Sequence, residues 1–239
     1  MALKVFVDFD GTITRRDVGN AFFETFGGPG YREILKEYES EARSAQGTFR
    51  WGVEAIGLVK RSAVDEFLIG QPVDETFRGF CEYCQENGIE FHIVSDGLDY
   101  YIEKILRQNG IDGVSVFSNK LVVHPHDGDR CSFTIEFPFS DAECSRCACC
   151  KRNIVLTRSG DDDIIVYVGE GYSDRCAARY ADVVFAKDAL QTFCQKENIS
   201  YYPYMSFRDI VDRLTIIRKN RLRKRHRAEV LRRQAFLRE

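Results

Sequence analysis

Leu3-Lys4-Val5-Phe6-Val7-Asp8-Phe9-Asp10-Gly11-Thr12 is the stretch on which the reading of this 239-residue chain turns. Leu3 to Phe9 is a near-continuous apolar run closed by Asp10-Gly11. Its length and its Val and Phe content suit a buried strand of a parallel sheet. Side chains alternate along a strand, so Asp8 and Asp10 point to the same side. In open α/β sheets ligands bind just beyond the C-terminal strand ends, which is where this pair falls. Gly11 permits the tight exit from the strand.

Three further runs repeat the pattern. Ile89 to Val94 is closed by Ser95-Asp96-Gly97 and followed by a helical stretch, Leu98 to Gln108. Ile164 to Val168 is closed by Gly169 and followed by a loop into another helix. Val183 to Ala186 leads to a helix from Ala189 to Lys196, and Ser206 with Asp209 makes a capping-box-like start to a helix through Leu214. Strands alternating with helices predict an α/β fold with a doubly wound, mostly parallel, Rossmann-like sheet. Two stretches depart from the alternation. Residues 17–85 read as successive amphipathic helices, with Val18, Ala21, Phe22 and Phe26 on one face of the first, and are expected to form an inserted helical cap. Residues 115–138 read as a β-hairpin turned by His126-Asp127-Gly128-Asp129. The expected division is a core of residues 1–16 and 86–217, a cap of 17–85 and a basic tail of 218–239.

Composition narrows the function classes. Hydrophobic residues make up 44% and charged residues 30%, which excludes a disordered or fibrous chain. No apolar run approaches the roughly 20 residues of a membrane span. The first ten residues carry two acids and lack a signal peptide's apolar region and cleavage site. Nine cysteines, odd in number and unevenly spread, do not form a secreted disulfide framework. A reducing, cytoplasmic setting is expected. Cys144, Cys147, Cys149 and Cys150 are too compact to hold zinc alone, so a zinc site would need Cys131, His124 or His126; a reduced structural loop is the other reading. Cys81 and Cys84 fall at helical spacing with Phe77 and Phe80 and are expected to be buried. Net charge is −3, yet residues 218–239 carry ten Lys or Arg against two Glu. Any polyanion, lipid or partner binding therefore belongs to the tail, whose partner the sequence does not name. The blander expectation is a solvated, partly frayed helix continuing from Leu214. A nucleic acid is not the expected partner of the acidic body, and a homodimer is compatible with the sequence.

The strand ends deliver Asp8, Asp10, Ser95, Glu170 and Asp174, with Lys151 lying between the second and third runs. Carboxylates gathered in one pocket repel, each close pair by about 4 kcal/mol at 4 Å and an effective dielectric of 20. An oxygen-rich site of this kind suits Mg²⁺, which keeps waters and completes its shell with substrate phosphate. A divalent ion and Lys151 together would let an anionic phosphoryl group approach a carboxylate nucleophile.

This set resembles the haloacid dehalogenase superfamily of aspartyl-phosphate phosphatases, over nearly the whole chain to about residue 214. The shared parts are the strand-borne Asp-x-Asp, a Ser after the second strand, a Lys, and an acidic pair after a later strand. A helical cap between the first two motifs is similar to the phosphoserine-phosphatase-like branch. Cys149-Cys150-Lys151 and Gly171 to Ala178 look closest to a sub-branch that includes methionine-salvage phosphatases acting on 2-hydroxy-3-keto-5-methylthiopentenyl-1-phosphate. That sub-branch lies near the phosphoethanolamine/phosphocholine phosphatases.

The resemblance implies a Mg²⁺-dependent phosphomonoesterase acting on a small phosphate ester. Asp8 would attack phosphorus, and Asp10 would protonate the leaving group and then activate water. Gly11, Thr12, Ser95, Asp96, Gly97 and Lys151 would hold the phosphoryl group. The metal would be held by the Asp8 side chain, the Asp10 carbonyl and Glu170, with Asp174 acting through a water or from behind. The family usually has Asp where this chain has Glu170; the longer side chain leaves open whether Asp174 is instead the direct ligand. Asp17 is either a substrate contact or the N-cap of the helix beginning at Val18. Arg15, Arg16, Phe49 and Trp51 of the cap are substrate contacts or simply surface and core residues. A phosphotransferase or mutase using the same Asp pair, and a catalytically silent binding protein, remain the alternatives.

Overall fold

The opening apolar run becomes β1 (Leu3–Val7) in the computed structural model, which describes residues 2–142, 146–220 and 223–236. It is followed by α1 (Val18–Phe26), α2 (Tyr31–Glu39), α3 (Ala45–Ile56), β2 (Val59–Lys60), α4 (Arg61–Ile69) and α5 (Phe77–Glu86). Next come β3 (Glu90–Leu98), α6 (Asp99–Gln108), β4 (Ser115–Pro125), β5 (Arg130–Glu136) and α7 (Lys151–Thr157). The rest is β6 (Ile164–Gly169), α8 (Arg175–Tyr180), β7 (Val183–Ala186), α9 (Asp188–Lys196), β8 (Tyr202–Pro203), α10 (Phe207–Lys219) and α11 (His226–Phe236). No helix among the described residues is long and apolar enough to cross a membrane.

The strands order as β2-β5-β4-β3-β1-β6-β7-β8. From β4 to β8 neighbours run parallel, while β5 and β2 are added antiparallel at one edge. The expected α/β architecture is therefore present. From β1 the chain first builds outward through β3 and β4, then crosses back to build β6, β7 and β8 on the other side. The point of reversal lies beside β1, and a crevice opens there at the C-terminal strand ends.

Period-two alternation divides the apolar residues between two cores. Val5 and Val7 of β1, with Val166 and Val168 of β6, face a core shared with α5, α6 and α10. Phe6, Ile165 and Tyr167 face the opposite core, filled from α7, α8 and α9 by Ile154, Val155, Ala177, Ala178, Leu190 and Cys194. A strand packed on both faces is mostly apolar, which explains the near-continuous run at Leu3 to Phe9.

α5 belongs with the first of these cores. After α4 the chain returns beside the first loop at residues 72–74, where Arg15 N donates to Pro72 O and Asp74 N to Ile13 O. Phe77 and Phe80 then pack on Phe207 of α10, at centroid distances of 4.7 and 5.2 Å. Cys84 is buried in the same core and Cys81 packs partly buried against it. Residues of α1, α2 and α3 line the crevice. β2, which follows α3, pairs with β5 through Val59–Cys131 and Lys60–Arg130.

The basic C-terminus corrects the expectation of a frayed helix. α10 ends at Lys219, and α11 returns to pack on α8 with Ala228 fully buried. Arg225 donates to the carbonyls of Ala178 and Arg179 at the end of α8, where a cation meets the negative pole of the helix. Arg232 pairs with Asp182 at 3.1 Å, and that carboxylate is fully buried. Arg225 and Arg232 are thus structural residues, although the sequence presents them as members of a charge run. Residues 221, 222 and 237–239 of the tail lie outside the described residues.

Candidate active site

The site grows from β1 and β6. Asp8 extends the pairing of these strands by donating from its backbone N to Val168 O at 2.9 Å. Its side chain is almost wholly buried and accepts from Lys151 Nζ at 2.6 Å and from Thr12 Oγ1 at 3.3 Å. Lys151, the first residue of α7, gives a second bond from the same ammonium to Asp174 Oδ1 at 2.7 Å. Burial works against the charged ammonium, yet the Asp174 and Asp8 carboxylates raise its pKa well above the usual lysine value. Burial and Asp174 in turn push the Asp8 carboxyl well above the ordinary aspartate range, against the pull of Lys151. One cation does not neutralise this cluster.

Asp174 is saturated by protein donors. Its Oδ1 accepts from Lys151 and from Tyr167 Oη at 2.6 Å, and its Oδ2 accepts from the backbone N of Glu170 and Gly171 at 2.9 and 2.8 Å. Gly169 is required beneath it, since a Cβ there would stand 2.5 Å from Oδ2. Glu170 faces the cavity and reaches Gly11, where an added Cβ would sit 3.0 Å from its carboxyl. Gly11 has φ of +70°, so both its backbone and this close approach demand glycine. Burial, with Asp174 and Asp188 nearby, pushes Glu170 to about 7.

Asp10 is held by four donors. Its Oδ1 accepts from Val18 N at 3.1 Å and Gly19 N at 3.2 Å, at the start of α1. Its Oδ2 accepts from Tyr101 Oη at 2.6 Å and Ser95 Oγ at 3.3 Å. Burial foremost, and Asp17 second, push this carboxyl to about 7. Such a group exchanges its proton near neutrality, as a catalytic acid and base requires. Ser95 also accepts from Gly97 N at 2.9 Å, fixing the turn after β3. Asp96 lines the cavity, and its carboxylate ties that turn to the Cys149 backbone N at 2.9 Å; burial pushes it to about 6. Thr12 bonds Asp8 as described, and Thr14 fastens the loop through Phe9 O and Arg16 O.

Asp8, Asp10, Ser95, Asp96, Gly97, Glu170 and Asp17 line one cavity of about 200 Å³. Asp17 is the N-cap of α1, accepting from Asn20 N at 2.7 Å, and it faces the cavity as well. Burial raises it to about 6. α2 and α3 supply Tyr31, Tyr38, Thr48 and Phe49 to the wall. Arg15, Arg16 and Trp51 stand apart from it. Arg15 pairs with Glu75, Arg16 bonds Gln71, and Trp51 stacks on Tyr31. Across the mouth, Tyr38 Oη donates to Arg146 O at 3.1 Å, Tyr172 Oη donates to Glu41, and the two rings meet edge to face at 5.8 Å.

The cysteines turn in different directions. Cys147 points to Ser173 O, Cys149 to Phe117 O and Cys150 to Asp141. His124 and His126 bond Thr134 and Ser132 on the hairpin. Cys144 lies outside the described residues. Among the described residues no three His, Cys, Asp or Glu side chains form a ready metal cage. Asp8, Asp10 and Glu170 line the same cavity, whose lining holds negative charge in excess. A hard ion that needs only one or two carboxylates and otherwise keeps its waters fits that set.

Two tyrosines escaped the sequence reading. Tyr167 sits inside the apolar run of β6 and Tyr101 on the inner face of α6, both at positions that read as core. Their only signal was a hydroxyl where Phe would have packed equally well.

The family profile described as haloacid dehalogenase-like hydrolase matches residues 5–179. A 2-hydroxy-3-keto-5-methylthiopentenyl-1-phosphate phosphatase of Bacillus cereus (strain B4264) is 30% identical over 220 residues, covering 91% of this chain and 98% of that protein. Its counterpart in Exiguobacterium sibiricum is 32% identical over 218 residues, covering 90% and 97%. Among solved structures, a phospho-aspartyl intermediate analogue of phosphoserine phosphatase superposes with a TM-score of 0.68 at 18% identity, covering 89% of this chain and 98% of that one.

Proposed function

The chain belongs to the haloacid dehalogenase-like hydrolase family and is a phosphoric monoester hydrolase, and we propose that it works through an aspartyl-phosphate on Asp8. The observation that carries this reading is the meeting of the Asp8 and Asp10 carboxyls on one cavity floor, with Lys151 bonded behind Asp8 at 2.6 Å.

In the first step an Asp8 oxygen attacks phosphorus and the ester P–O bond breaks. Asp10 gives its proton to the departing alkoxide. In the second, water attacks the acyl phosphate, Asp10 takes back a proton, and Asp8 leaves as carboxylate. Ser95, which lines the cavity, holds a phosphoryl oxygen, while Thr12 stays on Asp8 and the Gly97 N–H on Ser95. Lys151 offsets charge on Asp8 throughout. Mg²⁺ would be held by Asp8, the Asp10 carbonyl and Glu170, and when bound it supplies the charge neutralisation that lets a phosphate dianion enter. Asp174, fully occupied by its four donors, orients Lys151 and the Glu170 turn from behind.

The guest is a small phosphorylated metabolite. The relatives' substrates, 2-hydroxy-3-keto-5-methylthiopentenyl-1-phosphate and phosphoserine, and the amino-alcohol phosphates form the candidate set. Among the described residues, the cavity lining holds Asp17 and Glu39 and no Lys or Arg. A carboxylate on the substrate would meet repulsion of about 3 kcal/mol at 5 Å and an effective dielectric of 20. The lining therefore favours a neutral or cationic remainder over phosphoserine.

The test is phosphate release from these esters with Mg²⁺, alongside Asp8→Asn and mass analysis of acid-quenched protein. A phosphoryl adduct on the Asp8 peptide is expected in the native chain. Turnover surviving Asp8→Asn would refute the scheme.

A further inference from the structure

Asp10 can serve as acid and then base only while its carboxyl is held with one lone pair open to the leaving group. The N–H groups of Val18 and Gly19 occupy Oδ1. On Oδ2 the short bond comes from Tyr101 Oη, at 2.6 Å, while the Ser95 hydroxyl stands farther off at 3.3 Å. Tyr101 is 1% exposed, and its ring packs near Phe9 and Phe22 at 6.2 and 6.5 Å.

The approach of this hydroxyl is built into the backbone around it. A Cβ on Gly97 would overlap Tyr101 Oη and stand 2.5 Å from Asp10 Oδ2, and one on Gly19 would press to 3.0 Å from the same hydroxyl. Two glycines on separate segments therefore clear the path from α6 to Asp10. Phenylalanine would fill the ring's space equally well, so packing alone does not account for the oxygen.

We propose that Tyr101 is a positioning residue for the first half-reaction: its hydroxyl fixes Asp10 Oδ2 so that the remaining lone pair carries the proton toward the leaving oxygen. This rests on the aspartyl-phosphate reading above. Ser95 is expected to turn to the phosphoryl group when substrate enters, which leaves Tyr101 as the side-chain donor that stays on Oδ2. The role matters most when the leaving group needs a proton, and least when it departs readily as an anion.

The experiment compares kcat/KM for an alkyl phosphate and for p-nitrophenyl phosphate in the native chain, in Tyr101→Phe and in Tyr101→Met, with Mg²⁺ present. Because kcat/KM reports steps only through loss of the leaving group, hydrolysis of the acyl phosphate does not enter it. Proton donation is worth roughly 100-fold or more. The expected loss in Tyr101→Phe is therefore roughly 10- to 100-fold with the alkyl ester and under about 3-fold with the nitrophenyl ester. Tyr101→Met should show the same imbalance, and it decides the matter should the Phe variant fail to fold. An equal loss for both esters would mean that Tyr101 merely supports the fold, and no loss for either would mean that its hydroxyl is idle; each overturns the proposal. A native chain inactive on both esters, or an active Asp8→Asn, would instead remove the underlying scheme.

Discussion

Lys151 donates to Asp174 at 2.7 Å while the same ammonium holds Asp8 at 2.6 Å, and all three side chains are buried. The bridge joins the first strand to the turn after β6 across 166 residues of chain. Its components cannot be removed singly without cost. Lys151→Met would leave two carboxylates buried without their cation, and loss of one partner from a buried ion pair typically costs about 3–5 kcal/mol. Urea unfolding at pH 7 should register that loss. Adding Asp174→Asn to Lys151→Met should recover part of it, because one of the stranded charges is gone.

Stability of the metal-free protein should fall as pH rises from about 4 to 7. Asp10 and Glu170 are pushed to about 7, and Asp17 and Asp96 to about 6. Unfolded, such groups titrate near about 4. Between these limits the folded chain binds more protons than the unfolded one, so its advantage is complete below about pH 4 and is lost through the folded values. Thermal melts in chelator at pH 5 and pH 8 check the direction, with the lower midpoint expected at pH 8. Mg²⁺ should raise the midpoint more at pH 8 than at pH 5.

Glu170→Asp should weaken the metal site. The Glu170 carboxyl lies against Gly11, and a side chain shorter by one methylene withdraws from it. A displacement near 1 Å can cost about 100-fold in rate. Titration of activity against Mg²⁺ should show a half-saturation point raised by about tenfold or more. An unchanged curve would mean that Glu170 does not hold the ion.

Deleting residues 224–239 should destabilise the chain by about 3 kcal/mol, because Asp182 loses Arg232 and stays buried. The last turn of α8 would also lose the bonds from Arg225 to its carbonyls. Denaturant midpoints measure the effect. KM for a small ester, taken well below the melting point, should stay close to that of the full chain, since α11 contributes nothing to the cavity lining among the described residues.

Much of this was legible in the sequence because it rests on short-range rules. A strand buried on both faces is mostly apolar, as Val5, Phe6 and Val7 are, and Asp8 and Asp10 follow just past its end and both line the cavity. The capping box at Ser206 and Asp209 is equally local, and it starts α10 as expected. What stayed hidden depends on partners far along the chain. Arg225 and Arg232 look like members of a basic run until Asp182 and the end of α8 are brought beside them. Tyr101 and Tyr167 look like core residues until Asp10 and Asp174 meet their hydroxyls. Asp17 illustrates both kinds, since its capping role follows from Val18 and Asn20 next door, while its place in the cavity wall needs the fold.

The pairing of β2 with β5 joins the α1–α4 segment to the ribbon, and among the described residues tyrosine hydroxyls and one ring contact join it to Arg146 and to the turn after β6. Backbone ladders part less readily than such clasps. The wall of the cavity is drawn from two segments, α2 and the turn after β6, that touch each other through Tyr38 and Tyr172.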